Sequence, residues 1–383
     1  MTGTIHPPRA RPGWWPEYAG YLTAVWAALY GLLALGWTIT GRGYPYGADH
    51  PRNDSNLLRL LTDATGAPVF TAVGFLTAAL ALAITGPRAV RPHGLTRTLL
   101  LGYGWATVGL LVLVVPDMQV LALAGYLPML VVGAPFGWPP VEYSEIFDWP
   151  MINKIWAVAG GLLLARTLFA WRSRTAARAG SDGAGTAGAG WTTAASAARW
   201  GRWVTWIAAV IPVLYAVTRF AWVFDIGLGM TDAEMRELRE TGAVWAGAGL
   251  AAFAVLGAVL TVGLIRPWGE RFPRWMVGLA GRRVPVMLAV VPATLVAALV
   301  ASAGIGLFSV PDLWSMVADL NLAVLPALLW PLWGVTLGAA ALAYHLRRRE
   351  PGDGLPVGGA PGRDGPYSRS AGEYRPVGDH RQP

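Results

Sequence analysis

Residues 172–199 read RSRTAARAGSDGAGTAGAGWTTAASAAR. Small and polar side chains fill the run, so it cannot bury a core of its own. It is the one long interior segment of that kind, and it separates two apolar halves. The halves repeat each other's landmarks. Thr65-Gly66-Ala67 leads into the second apolar stretch and Val115-Pro116-Asp117 ends the third. Thr241-Gly242-Ala243 and Val310-Pro311-Asp312 recur in the same order downstream. A short amphipathic pattern precedes each Thr-Gly-Ala (Ser55 to Asp63, then Thr231 to Glu240), and a basic loop lies between the landmarks in both halves. The pattern predicts an internal duplication with parallel repeats related by an axis along the membrane normal.

The composition states the solvent. Of 383 residues 54% are hydrophobic and only 14% charged, against about 25% charged in a soluble chain. Several uncharged windows reach about 20 residues, enough to cross about 30 Å of hydrocarbon. The formal charge of +8 would suit nucleic acid, but the arginines gather at helix ends, where a bilayer protein keeps its anchors. No nucleic-acid partner is expected; the lipid bilayer is the partner. Lys154 is the single lysine, as a high-GC coding bias produces. There is no cysteine, which excludes disulfides, thiol catalysis and cysteine-ligated metals. The polar start followed by a long apolar run does not read as a cleavable signal.

The expected architecture is all-α: a polytopic membrane protein of about eight transmembrane helices in two parallel four-helix repeats. Residues 1–171 form the first half, 172–199 a flexible cytoplasmic linker, 200–346 the second half and 347–383 a disordered cytoplasmic tail. The spans are expected near 18–40, 67–87, 97–115, 151–171, 202–224, 242–265, up to 310, and 321–345. Residues 118–135 are apolar but broken by Gly125, Pro128 and Pro135. If they crossed the membrane, the arginines of the linker and of the 266–283 loop would fall outside. A re-entrant or interfacial segment keeps them inside, and the positive-inside rule then puts both termini in the cytoplasm of a plasma-membrane protein.

Candidate sites are few. Gly183-Ala184-Gly185-Thr186-Ala187-Gly188 has dinucleotide-loop spacing but no preceding strand, so it reads as linker. The 5 histidines are scattered, and neither a metal site nor a cofactor is expected. Polar groups at membrane depth carry more information, because insertion there costs about 2.5–3.5 kcal/mol. Arg219, Asp225, Asp312 and Asp117 form a candidate polar outer cluster, with Asn153, Lys154, Asp319 and Asn321 at the starts of the last helix in each half. The expected pair is Arg219 with Asp312. The alternative for all of them is helix capping and snorkelling at an interface. Glu142, Glu145 and Asp148 are candidate outer carboxylates, for acid–base work, weak cation binding or plain solvation. Gly334 and Gly338 have the spacing of a close helix crossing.

Trp268-Gly269-Glu270-Arg271-Phe272-Pro273-Arg274-Trp275, then Gly281-Arg282-Arg283-Val284-Pro285, together with Thr218-Arg219-Phe220-Ala221-Trp222, resemble a group of uncharacterised actinobacterial multi-pass membrane proteins. The resemblance covers mainly residues 218–285 and implies a membrane location and a bacterial source. It brings no activity and no site residues. Three functional classes stay open. One is a permease-like protein or membrane-embedded accessory, binding a small molecule or a protein partner in the membrane. Another is a membrane-embedded enzyme using the outer carboxylates on a lipid-linked or extracytoplasmic substrate. The third is a structural or signalling partner acting through the Arg-rich cytoplasmic face. Prolines at Pro292, Pro326 and Pro331 favour the permease, and the lack of a charge near mid-bilayer counts against ion coupling.

Overall fold

The computed structural model describes residues 15–48, 50–85, 94–136, 142–180, 191, 193–274, 276, 278–311, 313–318, 322 and 324–348. The chain is all-helical there. The first half holds α1 (Trp15–Thr40), α2 (Asp63–Ile84), α3 (Gly94–Gly109), α4 (Met118–Gly133), α5 (Tyr143–Ile146) and α6 (Trp149–Gly180). The second holds α7 (Ala194–Val223), α8 (Asp232–Glu240), α9 (Ala243–Gly263), α10 (Val286–Leu307), α11 (Leu313–Ala318) and α12 (Trp330–Arg347). Among the described residues 8 helical stretches are long and apolar enough to cross a membrane. They are α1, α2, α3 with its extension to Val114, α6, α7, α9, α10, and α12 with the turn that leads into it. At about 24 Å, by helical rise, α4 is too short to cross about 30 Å of hydrocarbon.

Local chemistry sets the ends. Gly41 closes α1 in the left-handed region, φ +63°, and its N–H donates to the Trp37 carbonyl at 2.9 Å, the usual helix stop. Thr231 and Glu234 form a reciprocal capping box at the start of α8. The backbone N–H of Thr231 holds the Glu234 carboxyl below its ordinary range. α3 loosens into a π turn over Leu110–Val114 before Pro116, which cannot continue the ladder.

Several boundaries differ from those expected. α6 runs to Gly180 and α7 starts at Ala194, so helix enters the linker from both sides; its alanines favour helix where no packing opposes it. Thr65-Gly66-Ala67 lies inside the first turns of α2, whereas Gly242 precedes α9 with φ +71°. The two copies of that landmark have different conformations. The amphipathic stretch after Ser55 makes only a 3-10 turn, Leu57–Leu60. Pro326 and Pro331 fall at the entry to α12 rather than in its interior, where a missing N–H costs nothing. Residues 183–188, Asp312, Asp319, Asn321 and the 349–383 tail lie outside the described residues.

The bundle is assembled through small residues. α1 turns Thr23, Ala27, Tyr30 and Ala34 inward and Leu22, Val25, Leu29 and Leu32 outward. In hydrocarbon a leucine gains little by burial, so the contact goes to side chains that let backbones approach. A Cβ added at Gly74 would stand 2.6 Å from the Gly31 Cα, and one at Gly334 would stand 2.6 Å from the Ala297 carbonyl oxygen. Gly338 has only an ordinary 3.7 Å contact, so one glycine of that pair makes the close crossing. Threonines supply polar pins between helices, such as Thr23 with Thr167 at 2.9 Å.

The main helix pairings of the two halves correspond in order, although α2 also touches α3 and α6. α1 packs on α2 and α6, and α3 on α6; α7 packs on α9 and α12, and α10 on α12. The halves also meet directly, because α10 lies against α4 and the π turn. All twelve helices belong to one compact unit ending at Arg348.

Candidate functional site

The turn after α3 carries Asp117, and the second turn of α6 carries Lys154. Their side chains meet in a contact closed to solvent: Lys154 Nζ lies 2.5 Å from Asp117 Oδ2, and both side chains are 0% exposed. Two further side chains, Asn56 and Gln119, complete the knot. Asn56 donates from Nδ2 to Asp117 Oδ2 at 3.2 Å and to the Val115 carbonyl at 2.9 Å. Gln119 donates its backbone N–H to Asp117 Oδ1 at 3.1 Å, so the same carboxylate caps α4. Lys154 also donates to Gln119 Oε1 at 3.3 Å. Each carboxylate oxygen thus has a donor, as a buried charge requires.

Sequence order explains how the parts arrive. Pro116 ends one helix and lets Asp117 start the next in the same turn. Asn56 caps its own 3-10 turn, accepting from the Leu58 N–H at 2.9 Å, which leaves its amide nitrogen free to reach across. The loop from Gly41 to Thr62 is clamped over the knot. Asn53 donates to the carbonyls of Pro45 and Gly47, both at 3.0 Å, and Trp149 Nε1 to that of Gly43 at 2.8 Å. Beneath it Tyr46 shares a 2.6 Å hydrogen bond with Tyr30. Burial, with Tyr30 beside it, pushes the Tyr46 phenol well up; this ring stays neutral at any working pH.

The second half touches the knot through α10. Ser302, 0% exposed, donates to the Pro116 carbonyl at 2.6 Å. A Cβ at Gly306 would stand 2.2 Å from the Ser55 carbonyl oxygen and 3.7 Å from Asp117 Cβ. Ser309 Oγ donates to the Asp54 carbonyl at 3.3 Å. The ion pair therefore sits at the seam between the halves.

The structure regroups the predicted polar cluster. Asp117 is the buried acid of the knot, and its partner is Lys154 rather than an arginine. Asp225 adopts φ 65°, tolerable for an aspartate, and pairs with Arg239 at 3.0 Å. Arg219 lies against aromatic faces, its guanidinium carbon 3.9 Å from the Trp222 ring centre and 4.9 Å from that of Tyr215. Such stacking attracts a guanidinium to the ring faces. The expected partner, Asp312, lies outside the described residues.

The outer carboxylates divide as well. Asp148 Oδ2 pairs with Arg52 at 3.1 Å, while its other oxygen accepts from the Met151 N–H at 2.9 Å and caps α6. Arg52 also donates to the backbone carbonyl of Glu145. Glu142 and Glu145 are exposed. Asp148 thus has structural work, and the three do not converge as an acid–base pair. Among the described residues no three His, Asp or Glu side chains are placed to hold a metal ion.

Lys154 is the member that sequence reasoning undervalued. A signal was present: a chain that otherwise uses only arginine keeps one lysine, placed just inside a span. Lysine's compact ammonium carries its donors on one nitrogen, and here that nitrogen reaches both Asp117 and Gln119.

Among the described residues, eight membrane-length apolar helical stretches define a multi-pass helical membrane protein. The chain matches no family model, no curated protein and no solved structure.

Proposed function

We propose that this chain is a permease-like protein of the plasma membrane, with both termini cytoplasmic, whose two halves are related by duplication and move against each other at a charged seam. The observation that carries the reading is the sealed Lys154–Asp117 pair at the junction of the halves. An ionisable pair inside a membrane protein is costly to keep and marks a functional pathway by default. The matching helix pairings of the two halves support duplication. The small, hydroxylated face that α10 presents at Ser302 and Gly306 suits a surface that slides.

The test uses the absence of cysteine. Ser302→Cys, reconstituted in liposomes, is expected to react slowly with a membrane-impermeant maleimide, at a rate set by opening of the seam, and faster when combined with Asp117→Asn. Ala208→Cys, equally buried but within the second half, should stay unreactive in both backgrounds. If Ser302→Cys never reacts in folded protein, or reacts only when Ala208→Cys does, the seam does not open and a static accessory role replaces the permease.

Sidedness is tested in the same background. Ser144 and Ala280 are both exposed, and they stand after the third and sixth of the eight spans. Ser144→Cys should label in intact cells, and Ala280→Cys only after lysis. The reverse pattern would invert the protein, and labelling of both from outside would require a different number of spans.

A further inference from the structure

The structure holds a cavity of about 530 Å³ away from the charged seam, between α9 and α10. It falls in the size range of small-molecule sites, about 300–1,000 Å³. Its wall is almost wholly apolar and includes Leu260, Leu288, Pro292, Val296 and Trp268, with Trp333 of α12 at one end. Leu260, Leu288 and Val296 are 59%, 57% and 41% exposed, so the cavity opens sideways, toward the hydrocarbon. Trp333 lies eleven residues along α12 from Tyr344, whose hydroxyl donates to the Gly269 carbonyl of the covering loop at 2.9 Å. At helical rise that is about 16 Å, close to one leaflet of a core about 30 Å thick.

The loop over the mouth, from Leu264 to Pro285, is built rather than slack. Phe272 N–H donates to the Arg282 carbonyl at 3.0 Å and Val284 N–H to that of Glu270 at 2.9 Å. A Cβ at Gly263 would stand 2.6 Å from the Trp268 ring, so that ring is seated on the end of α9. The loop exposes Arg266, Arg271, Arg274 and Arg282. Its one acidic residue, Glu270, is already matched by Arg347 at 3.6 Å. The result is a leaflet-deep apolar slot beneath a cationic rim.

We propose that this slot binds an anionic phospholipid from the adjoining leaflet, one acyl chain lying between α9 and α10 and the phosphate resting on the loop arginines. An almost wholly apolar wall that opens sideways calls for a chain, and loop arginines that meet no carboxylate other than Glu270 in the loop itself call for a negative head; basic pockets between spanning helices are known to select such heads. A neutral lipid would leave the rim unused, and a soluble phosphate would leave the slot unfilled.

The test is native mass spectrometry of the full chain after delipidation, with phosphatidylglycerol and phosphatidylcholine of equal chain length added in competition. Phosphatidylglycerol should be retained about tenfold better, since an arginine beside an anionic head contributes on the order of a fivefold factor. The triple change Arg271→Gln, Arg274→Gln, Arg282→Gln should remove that preference. Ala293→Phe, which fills the slot, should lower retention of both lipids; Ala289→Leu serves if that variant does not fold. Glycerol 3-phosphate should not compete. Equal retention of the two lipids by the parent chain overturns the proposal. So does phosphatidylglycerol retention that slot filling leaves undiminished, which would mean attraction to the surface alone, and so does effective competition by glycerol 3-phosphate, which would mean a phosphate site without a lipid chain.

Discussion

Lys154→Met is expected to cost about 3–5 kcal/mol, because it leaves the Asp117 carboxylate buried with its counter-charge removed. Asp117 would keep the amide of Asn56 and the backbone N–H of Gln119, and two neutral donors do not balance a charge in that setting. Asp117→Asn should cost a similar amount through the stranded ammonium, while retaining the cap on α4, since asparagine caps as well as aspartate. The double variant Lys154→Met with Asp117→Asn should recover most of the loss. The double change leaves neither charge stranded, and the stranded charge is what makes each single change costly. The measurement is a double-mutant cycle on unfolding midpoints in mild detergent. Additive single effects would mean that the two groups do not act as a pair. A Lys154→Met loss under about 1 kcal/mol would place the contact with solvated ion pairs instead. The cycle also bears on function: in the proposed permease the double variant stays folded while Ser302→Cys becomes more reactive.

Gly74→Leu is expected to be about as damaging. The Gly74 position faces the Gly31 backbone, with a Cβ separation of 2.6 Å from a Cα and 2.8 Å from a nitrogen. Backbone cannot move aside as a flexible side chain can, so α1 and α2 must part along their crossing. Overpacking of a core typically costs about 1–3 kcal/mol and occasionally more, and a leucine adds several atoms beyond the Cβ. The comparison is Gly36→Ala on α1, the helix that carries Gly31, where a Cβ meets nothing within 4 Å. That change should be neutral or stabilise by up to about 1 kcal/mol, since glycine is the poorer helix former. Chemical denaturation of both variants in detergent separates the cases. Equal tolerance would mean that the α1–α2 crossing is looser than the structure places it.

These predictions rest on two kinds of information. The spans were legible in the sequence because hydrocarbon thickness and the cost of unpaired backbone groups act on contiguous residues. A long uncharged run has one outcome in a bilayer, whatever packs beside it. Capping at Thr231 was legible for the same reason: its hydrogen bonds run to residues three positions away. The linker illustrates the limit of composition, since its alanine-rich ends read as too small for a core and yet continue α6 and begin α7.

Which face of a span turns inward was not legible, because lipid and protein interior are both apolar. Leu29 and Tyr30 are adjacent in sequence, and only packing sends one to the surface and the other to the core. The partner of Asp117 was hidden in the same way. Counting residues along a helix gives depth, and at that depth the chain offers Arg219 as well as Lys154. Direction around the bundle selects between them. That direction follows from the crossing of α3, α6 and α10, which brings Lys154 across 37 positions of sequence and leaves Arg219 to the faces of Trp222 and Tyr215. Depth is a property of one helix and its solvent; a contact is a property of several helices at once.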